Sequence, residues 1–125
     1  MNNSPRLREI KHAQREAQLL REISNFFLRI TLDEPRLHGI YISRVKLGAN
    51  RSMCTVFFYT PGGITDYEAK RPLLVMYKPT LRTALSKTLH GRYTPDLLFD
   101  FDAQYEKQRK VDDLLEQLQK EEEPS

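Results

Sequence analysis

Residues Leu81–Phe101 confine the fold more than any other stretch. Leu81, Ala84, Leu85 and Leu89 recur at steps of three and four, the spacing of one helical face, with Arg82 and Lys87 on the other side. Gly91 sits where such a helix stops, and Pro95 forbids its continuation. Leu97, Phe99 and Phe101 then alternate with Leu98, Asp100 and Asp102, the period of a half-buried strand. A helix that returns sharply to a strand, with cations at the corner, reads as a surface for polyanions rather than a reaction centre.

The segments before and after this unit complete an α+β pattern. Ser4-Pro5 is an N-cap followed by proline at the first helical position. From there Leu7, Ile10, Ala13, Ala17, Leu20, Ile23, Phe27 and Ile30 form one long stripe. That stripe faces the core, its first two turns project beyond it, and Arg6, Arg8, Lys11, Arg15 and Arg21 occupy the exposed side. Asp33-Glu34-Pro35 is turn chemistry. A strand over 38–47 places Tyr41, Ser43, Val45 and Leu47 on one side, and Gly48-Ala49-Asn50 is short enough for a hairpin. The next strand, 52–60, is apolar on both faces (Val56, Phe57, Phe58, Tyr59), which places it centrally. Pro61-Gly62-Gly63 ends it. Two helical pieces follow, 69–77 with Pro72 in its first turn and 80–90 after a break at Pro79. The strand 96–101 comes next. Asp102 then caps a last helix at 103–120 with Val111, Leu114, Leu115 and Leu118 as its stripe. The expected organisation is one domain over residues 1–118, with a three-stranded sheet and helices mainly on one face, then an acidic flexible tail over 119–125.

Charge is divided unevenly. Residues 1–92 hold 16 Lys and Arg against 7 Asp and Glu, a balance of +9; residues 93–125 hold 4 against 10, a balance of −6, which gives the net +3. The first part suits phosphates and the acidic end stays away from them. No run approaches the roughly 18 apolar residues of a membrane helix, and the N-terminus lacks the apolar centre of a secretory signal. Cys54 is the only cysteine, so an intrachain disulfide and a cysteine-based zinc cluster are impossible. A reducing cytoplasm is the expected compartment.

Candidate phosphate-binding residues follow from the cations. Lys70, Arg71, Lys78, Arg82, Lys87 and Arg92 cluster around the helical pieces, and Arg36, Arg44 and Lys46 lie on or beside the first strand. Contacts to phosphate need cations of long reach and little sequence demand. Arg36 has an alternative use, pairing with Asp33 to lock the turn. Tyr93, beside Arg92, is the candidate for stacking on a base. Catalytic and metal constellations are weak. Asp96, Asp100 and Asp102 share one strand face but read as a solvent face and a helix cap, with charge that discourages edge pairing. His12, His38 and His90 share no ligand spacing. Ser86 and His90 lack a third group, Cys54 packs as a small apolar residue, and Gly62-Gly63 is too short for a phosphate loop. No cofactor, metal or enzyme activity is expected.

The order α-β-β-α-kink-α-β, with one further helix, is that of a type II KH-like domain, and the chain resembles the ribosome-binding factor A family over residues 7–118. The resemblance is carried by Arg21–Ser24, by Asp33, Pro35, Arg36 and Leu37, by Ile42–Val45, and by Leu81-Arg82. Arg92, Pro95, Asp96, Leu97 and Phe99 continue it, and Leu114-Leu115 complete it. Arg82 and Arg92 fall on the family pattern. Two departures stand out: Glu34 interrupts an Asp-Pro-Arg-Leu run, and Tyr77-Lys78-Pro79 stands where the family carries Ala-x-Gly at its interhelical bend. There is no Gly-x-x-Gly loop of the kind that clamps nucleotides in ordinary KH domains, so a modified mode of RNA binding is implied. The resemblance further implies a monomeric, non-enzymatic factor on the free small (30S) ribosomal subunit. It would assist late processing and maturation of 16S rRNA, matter most in the cold, and leave before translation. The alternative from the residues themselves is a module that docks a partner protein on its long N-terminal amphipathic helix.

Overall fold

The computed structural model describes residues 5–89 and 93–122. Helix α1 is Pro5–Asp33, followed by a single 3-10 turn at Pro35–Leu37. Strands β1 (Tyr41–Leu47) and β2 (Met53–Tyr59) form an antiparallel hairpin, and α2 (Gly63–Thr88) crosses to β3 (Asp96–Phe101), which pairs parallel with β2. Helix α3, Ala103–Glu122, comes last. Strand order is β1-β2-β3, so β2 is central, as its apolar character on both faces requires. A parallel pair cannot be joined by a tight turn, and α2 is the connection it needs.

One face of the sheet is dry. Cys54, Val56 and Phe58 project from β2, Leu97, Phe99 and Phe101 from β3, and Val45 and Leu47 from β1, all buried. Leu19, Ile23 and Phe27 of α1 and Tyr67, Leu74, Leu81 and Leu85 of α2 close over them. Phe58 meets Phe27 and Phe99 edge to face at 5.2 and 4.9 Å, which couples α1 to the far strand through the central one. The buried face of α1 is narrower than the expected stripe: Ala13 and Ala17 are exposed, and Leu19 is buried instead. The sheet ends at Leu47. There His12 Nε2 lies 3.0 Å from Leu47 O, and Leu47 N donates to Glu16 Oε2 at 2.7 Å. Most of the helix before this clamp has no sheet beneath it.

β1 differs from simple alternation. Its register runs Tyr41 with Tyr59 and Ile42 with Phe58, then Arg44 with Phe57, so Ser43 is an extra residue in a bulge. Val45 and Leu47 keep the core side, but the bulge puts Ile42 there with them and turns Tyr41 and Arg44 to the opposite face. The two expected helical pieces are also one helix. α2 begins at Gly63, where φ is +77°, a conformation open to glycine. It continues through Pro72 and Pro79. Each proline deprives the carbonyl four residues earlier of its donor. Those carbonyls belong to Glu68 and Val75, both exposed residues on a side of the helix that water can reach. The glycine stop expected at Gly91 lies outside the described residues.

Three carboxylates hold the connections. Asp66, in the first turn of α2, accepts from Thr60 Oγ1 at 2.6 Å and from Lys70 Nζ at 2.7 Å. These bonds, Lys70's first, hold its carboxyl below the usual range. Glu34 accepts from Arg36 Nε at 2.7 Å, Arg36 Nη2 at 3.0 Å and Tyr77 Oη at 3.1 Å. The turn lock therefore uses Glu34 rather than Asp33, because Glu34 is the extended residue that caps the 3-10 turn and reaches Arg36 N two positions on. Asp102, only 1% exposed, accepts from Ser43 Oγ at 2.7 Å, Arg44 Nε at 2.9 Å and Tyr105 N at 3.0 Å. It caps α3 as the sequence indicates, but it lies past the end of β3 and turns inward, unlike Asp96 and Asp100, which stay exposed. Burial alone would raise its pKa; the bonds from Ser43, Tyr105 N and Arg44 outweigh this and leave it lowered.

Beyond its root, α3 leaves the domain. Tyr105 packs on Tyr59 and Tyr41, with ring centroids 4.8 and 6.2 Å away, but Val111, Leu114, Leu115 and Leu118 are all exposed, so the expected stripe covers no core. The helix continues to Glu122, past the boundary at 118, so residues 119–122 are helical where a flexible tail was expected.

Asp102→Ala leaves Tyr105 N without its acceptor and Ser43 Oγ with only the longer bond to Phe57 O, 3.2 Å away, while the half-exposed Arg44 can turn to water. The expected loss is about 2–4 kcal/mol in urea unfolding, close to the roughly 3–5 kcal/mol of a Phe58→Ala cavity. Glu34 gives a pH signature. The Arg36 hydrogen bond, against a smaller penalty from burial, brings its pKa down to about 2. A depressed carboxylate stabilises the fold above its ordinary pKa, and that contribution is lost as pH falls through the folded value. Melting temperatures of the wild type and Glu34→Gln should therefore differ by a constant amount from pH 7 to about pH 5 and converge toward pH 2.

Candidate nucleic-acid interface

The expected RNA-binding cations divide by what they already touch. Arg44 is a sheet residue: it pairs with Asp102 and its guanidinium carbon stands 3.8 Å from the centre of the Phe57 ring, so it covers an aromatic ring on the open face. Lys70 is held by Asp66. Arg82 donates to Thr94 O at 3.1 Å and pairs with Asp96 Oδ1 at 3.3 Å, which ties α2 to the start of β3. The ammonium of Lys78 lies 4.9 Å from the Phe99 ring centre. Arg36 is bound by Glu34, though 73% of its side chain remains accessible. Lys46, Arg71 and Lys87 are exposed. Tyr93 is 68% exposed. Arg92 lies outside the described residues.

The fold spreads this set over several surfaces. Arg71, Lys78 and Arg82 occupy the flank of α2 above the outer strand β3. Arg44 and Lys46 lie on the open face of the sheet. Arg36 and Lys70 come together at a shallow depression of about 340 Å³ with Pro72 and Met76. Lys87 stands over a groove of about 590 Å³ between α1 and α2, lined by Phe26, Pro79, Thr80, Thr83 and Thr88. This groove suits a polynucleotide backbone: hydroxyl donors line one wall, a cation stands at the rim, and Pro79 contributes no amide. It occupies the position of the family's Ala-x-Gly bend. Tyr77, the bulky residue there, points away from it to Glu34. The two departures from the family pattern thus bond to each other.

Sequence reasoning left three cations out of the site, two of them read only as the exposed side of α1. Arg51 joins Lys11 and Arg15 of α1 at a second basic region near Tyr93. The clue was its place in a hairpin turn, where the backbone takes a φ of +61°; periodicity carries no such signal. Other chemistries have little to work with. Burial pushes the Cys54 thiol up to about 11, which suppresses the thiolate. Ser86 Oγ donates to Thr83 O, and His38 Nε2 lies 3.0 Å from Thr31 O. Among the described residues no three His, Cys, Asp or Glu side chains gather as metal ligands, and no helix is long and apolar enough to cross a membrane.

Known proteins share this pattern. The family model for ribosome-binding factor A matches residues 11–115. A ribosome-binding factor A of Syntrophobacter fumaroxidans is 34% identical over 117 residues, covering 91% of this chain and 99% of that protein. The crystal structure of ribosome-binding factor A from Thermus thermophilus superposes with a TM-score of 0.59 at 26% identity, covering 71% of this chain and 93% of that one. A homology model of the Thermus thermophilus protein, fitted into the cryo-electron microscopy map of its complex with the 30S subunit, has a TM-score of 0.51 at 25% identity, over 68% and 88% of the two chains. With matching sequence over most of its length and the same α+β fold, the chain belongs to the ribosome-binding factor A family.

Proposed function

We propose that the chain binds the free small (30S) ribosomal subunit through 16S rRNA and assists late maturation of that RNA without catalysing a reaction. The observation that carries this reading is the similarity to the Thermus thermophilus protein in its 30S complex. The charge division supports it: the basic balance of +9 over residues 1–92 attracts phosphates, while the −6 of residues 93–125 is concentrated on β3 and the projecting α3. A rigid basic surface that fits one RNA arrangement better than another shifts the RNA toward that arrangement by the difference in affinity. Misfolded RNA helices open more slowly in the cold, which is where such a factor matters most. The action is that of a cytoplasmic monomer.

A second reading has one observation in its favour. The first turns of α1 pass beyond the sheet and expose Leu7 and Ile10, the start of an apolar stripe that a partner protein could cover.

The test is sedimentation of cell lysate through sucrose at low and high salt. Co-migration with free small subunits at low salt, lost at high salt and absent from full ribosomes, is the expected result. The variant Lys46→Glu/Lys87→Glu reverses exposed charges without touching the connections held by Arg44, Lys70 and Arg82, and leaves Arg71 beside the buried Tyr67 hydroxyl. It should remain folded, bind weakly, and lower the slope of log affinity against log salt by about 1 for each cation that touches a phosphate. Migration at the top of the gradient at both salts overturns the proposal and favours the partner-protein reading.

A further inference from the structure

The second basic region has the form of a small pocket, and none of its cations belongs to the expected RNA-binding set. It lies at the end of the sheet where α1, the β1–β2 hairpin, the end of α2 and the start of β3 meet, and its volume is about 300 Å³, at the small end of ligand pockets. Its floor is apolar, made by Leu19, Leu47, Leu89 and Pro95, all buried. One wall is the ring of Tyr93. The rim is cationic: Arg15 and Arg51 border it and continue into an adjoining depression with Lys11. Among the described residues no carboxylate lines either cavity. Glu16, the nearest acid on α1, is committed to Leu47 N.

Arg51 is the least expected of these residues. Its φ of +61° is a conformation that glycine or asparagine adopts far more readily. The turn enforces it: Arg51 N donates to Gly48 O at 2.9 Å, Gly48 N donates to Met53 O at 2.9 Å, and Asn50 Oδ1 accepts from Ser52 N and Oγ at 3.1 and 2.7 Å. The strained turn places the long Arg51 side chain at the rim of the pocket, where glycine or asparagine would relieve the backbone but supply no cation.

We propose that this pocket receives one unpaired nucleotide of the bound RNA, its base stacked on Tyr93 over the apolar floor and its phosphates held by Arg15, Arg51 and Lys11. An apolar slot of this size fits a planar heteroaromatic ring, and a cationic rim fits the charge a nucleotide carries beside that ring. The inference rests on RNA being what the domain binds. It adds that the RNA is read at an unstacked position, at the end of the sheet where α1, the hairpin and the end of α2 meet.

The probe is a single-stranded RNA of about eight nucleotides with 2-aminopurine at its centre, titrated by fluorescence against the whole chain at low salt. Binding should quench the probe. Tyr93→Ala should weaken binding about tenfold, and Tyr93→Phe, which keeps the ring, should bind as the wild type does. Arg51→Gly should weaken binding and lower the salt slope by about 1 without lowering the melting temperature, because glycine adopts this turn without strain. The proposal is overturned if the oligomer is not quenched, if a fully paired hairpin of the same sequence binds as well, if Tyr93→Phe loses as much as Tyr93→Ala, or if adenosine monophosphate binds more tightly than the oligomer. Sedimentation with small subunits separates the two levels. A chain that co-migrates with subunits but fails to quench the probe has the proposed function without this pocket, and one that does neither lacks both.

Discussion

Parallel pairing of β2 with β3 is the constraint on which the rest of the molecule depends. It demands a long crossover, and α2 supplies it over one face of the sheet. Once α2 covers β3 and part of β2, the remaining apolar surface on that face lies over β1, and α1 takes it. Among the described residues nothing of comparable size covers the other face, which is finished residue by residue: Arg44 lies on Phe57, and Tyr41 and Tyr105 close over Tyr59. The hydroxyls of Tyr41 and Tyr105 meet at 2.9 Å, and burial, with that contact, pushes the Tyr41 phenol up to about 12.

The elements were legible in the sequence where one physical signal dominated. Alternation located β3, the doubly apolar run located β2 at the centre, and Asp102 was readable as a cap. Three features were not. The bulge at Ser43 is set by cross-strand register and by the pull of Asp102, 59 residues away, and no local pattern encodes it. The persistence of α2 through two prolines depends on which way they face: they are two turns apart on the wet side, and periodicity would have shown this had proline not been read as a break. The apolar residues of α3 have helical spacing, but spacing states only that a face exists, not that anything covers it.

The cations carry a similar lesson. Composition identifies a basic domain, yet Arg44, Lys70 and Arg82 are spent on connections within the fold, and Arg36 on a turn. Arg44 and Arg82 meet carboxylates distant in sequence, Asp102 and Asp96, whereas Lys70 and Arg36 pair locally with Asp66 and Glu34. The residues left accessible, Lys46, Arg71 and Lys87, look no different in a list of charges. Glu34 and Tyr77 show the reverse: each departs from the family pattern, and together they make one hydrogen bond.

The reach of Asp102 bears on how the chain folds as it is made. The β1–β2 hairpin and α1 are local and can form early, but the sheet's parallel edge cannot exist until α2 has been synthesised and β3 follows it. The ligands of Asp102 wait still longer. Ser43 and Arg44 emerge about sixty residues ahead of the carboxylate that secures them, so during vectorial synthesis the bulge has only the Ser43 Oγ to Phe57 O bond of the hairpin itself, and the strand register is more open to slippage. Emergence of Asp102 therefore serves as the closing step, locking the first strand from the end of the last and starting α3 with the same side chain.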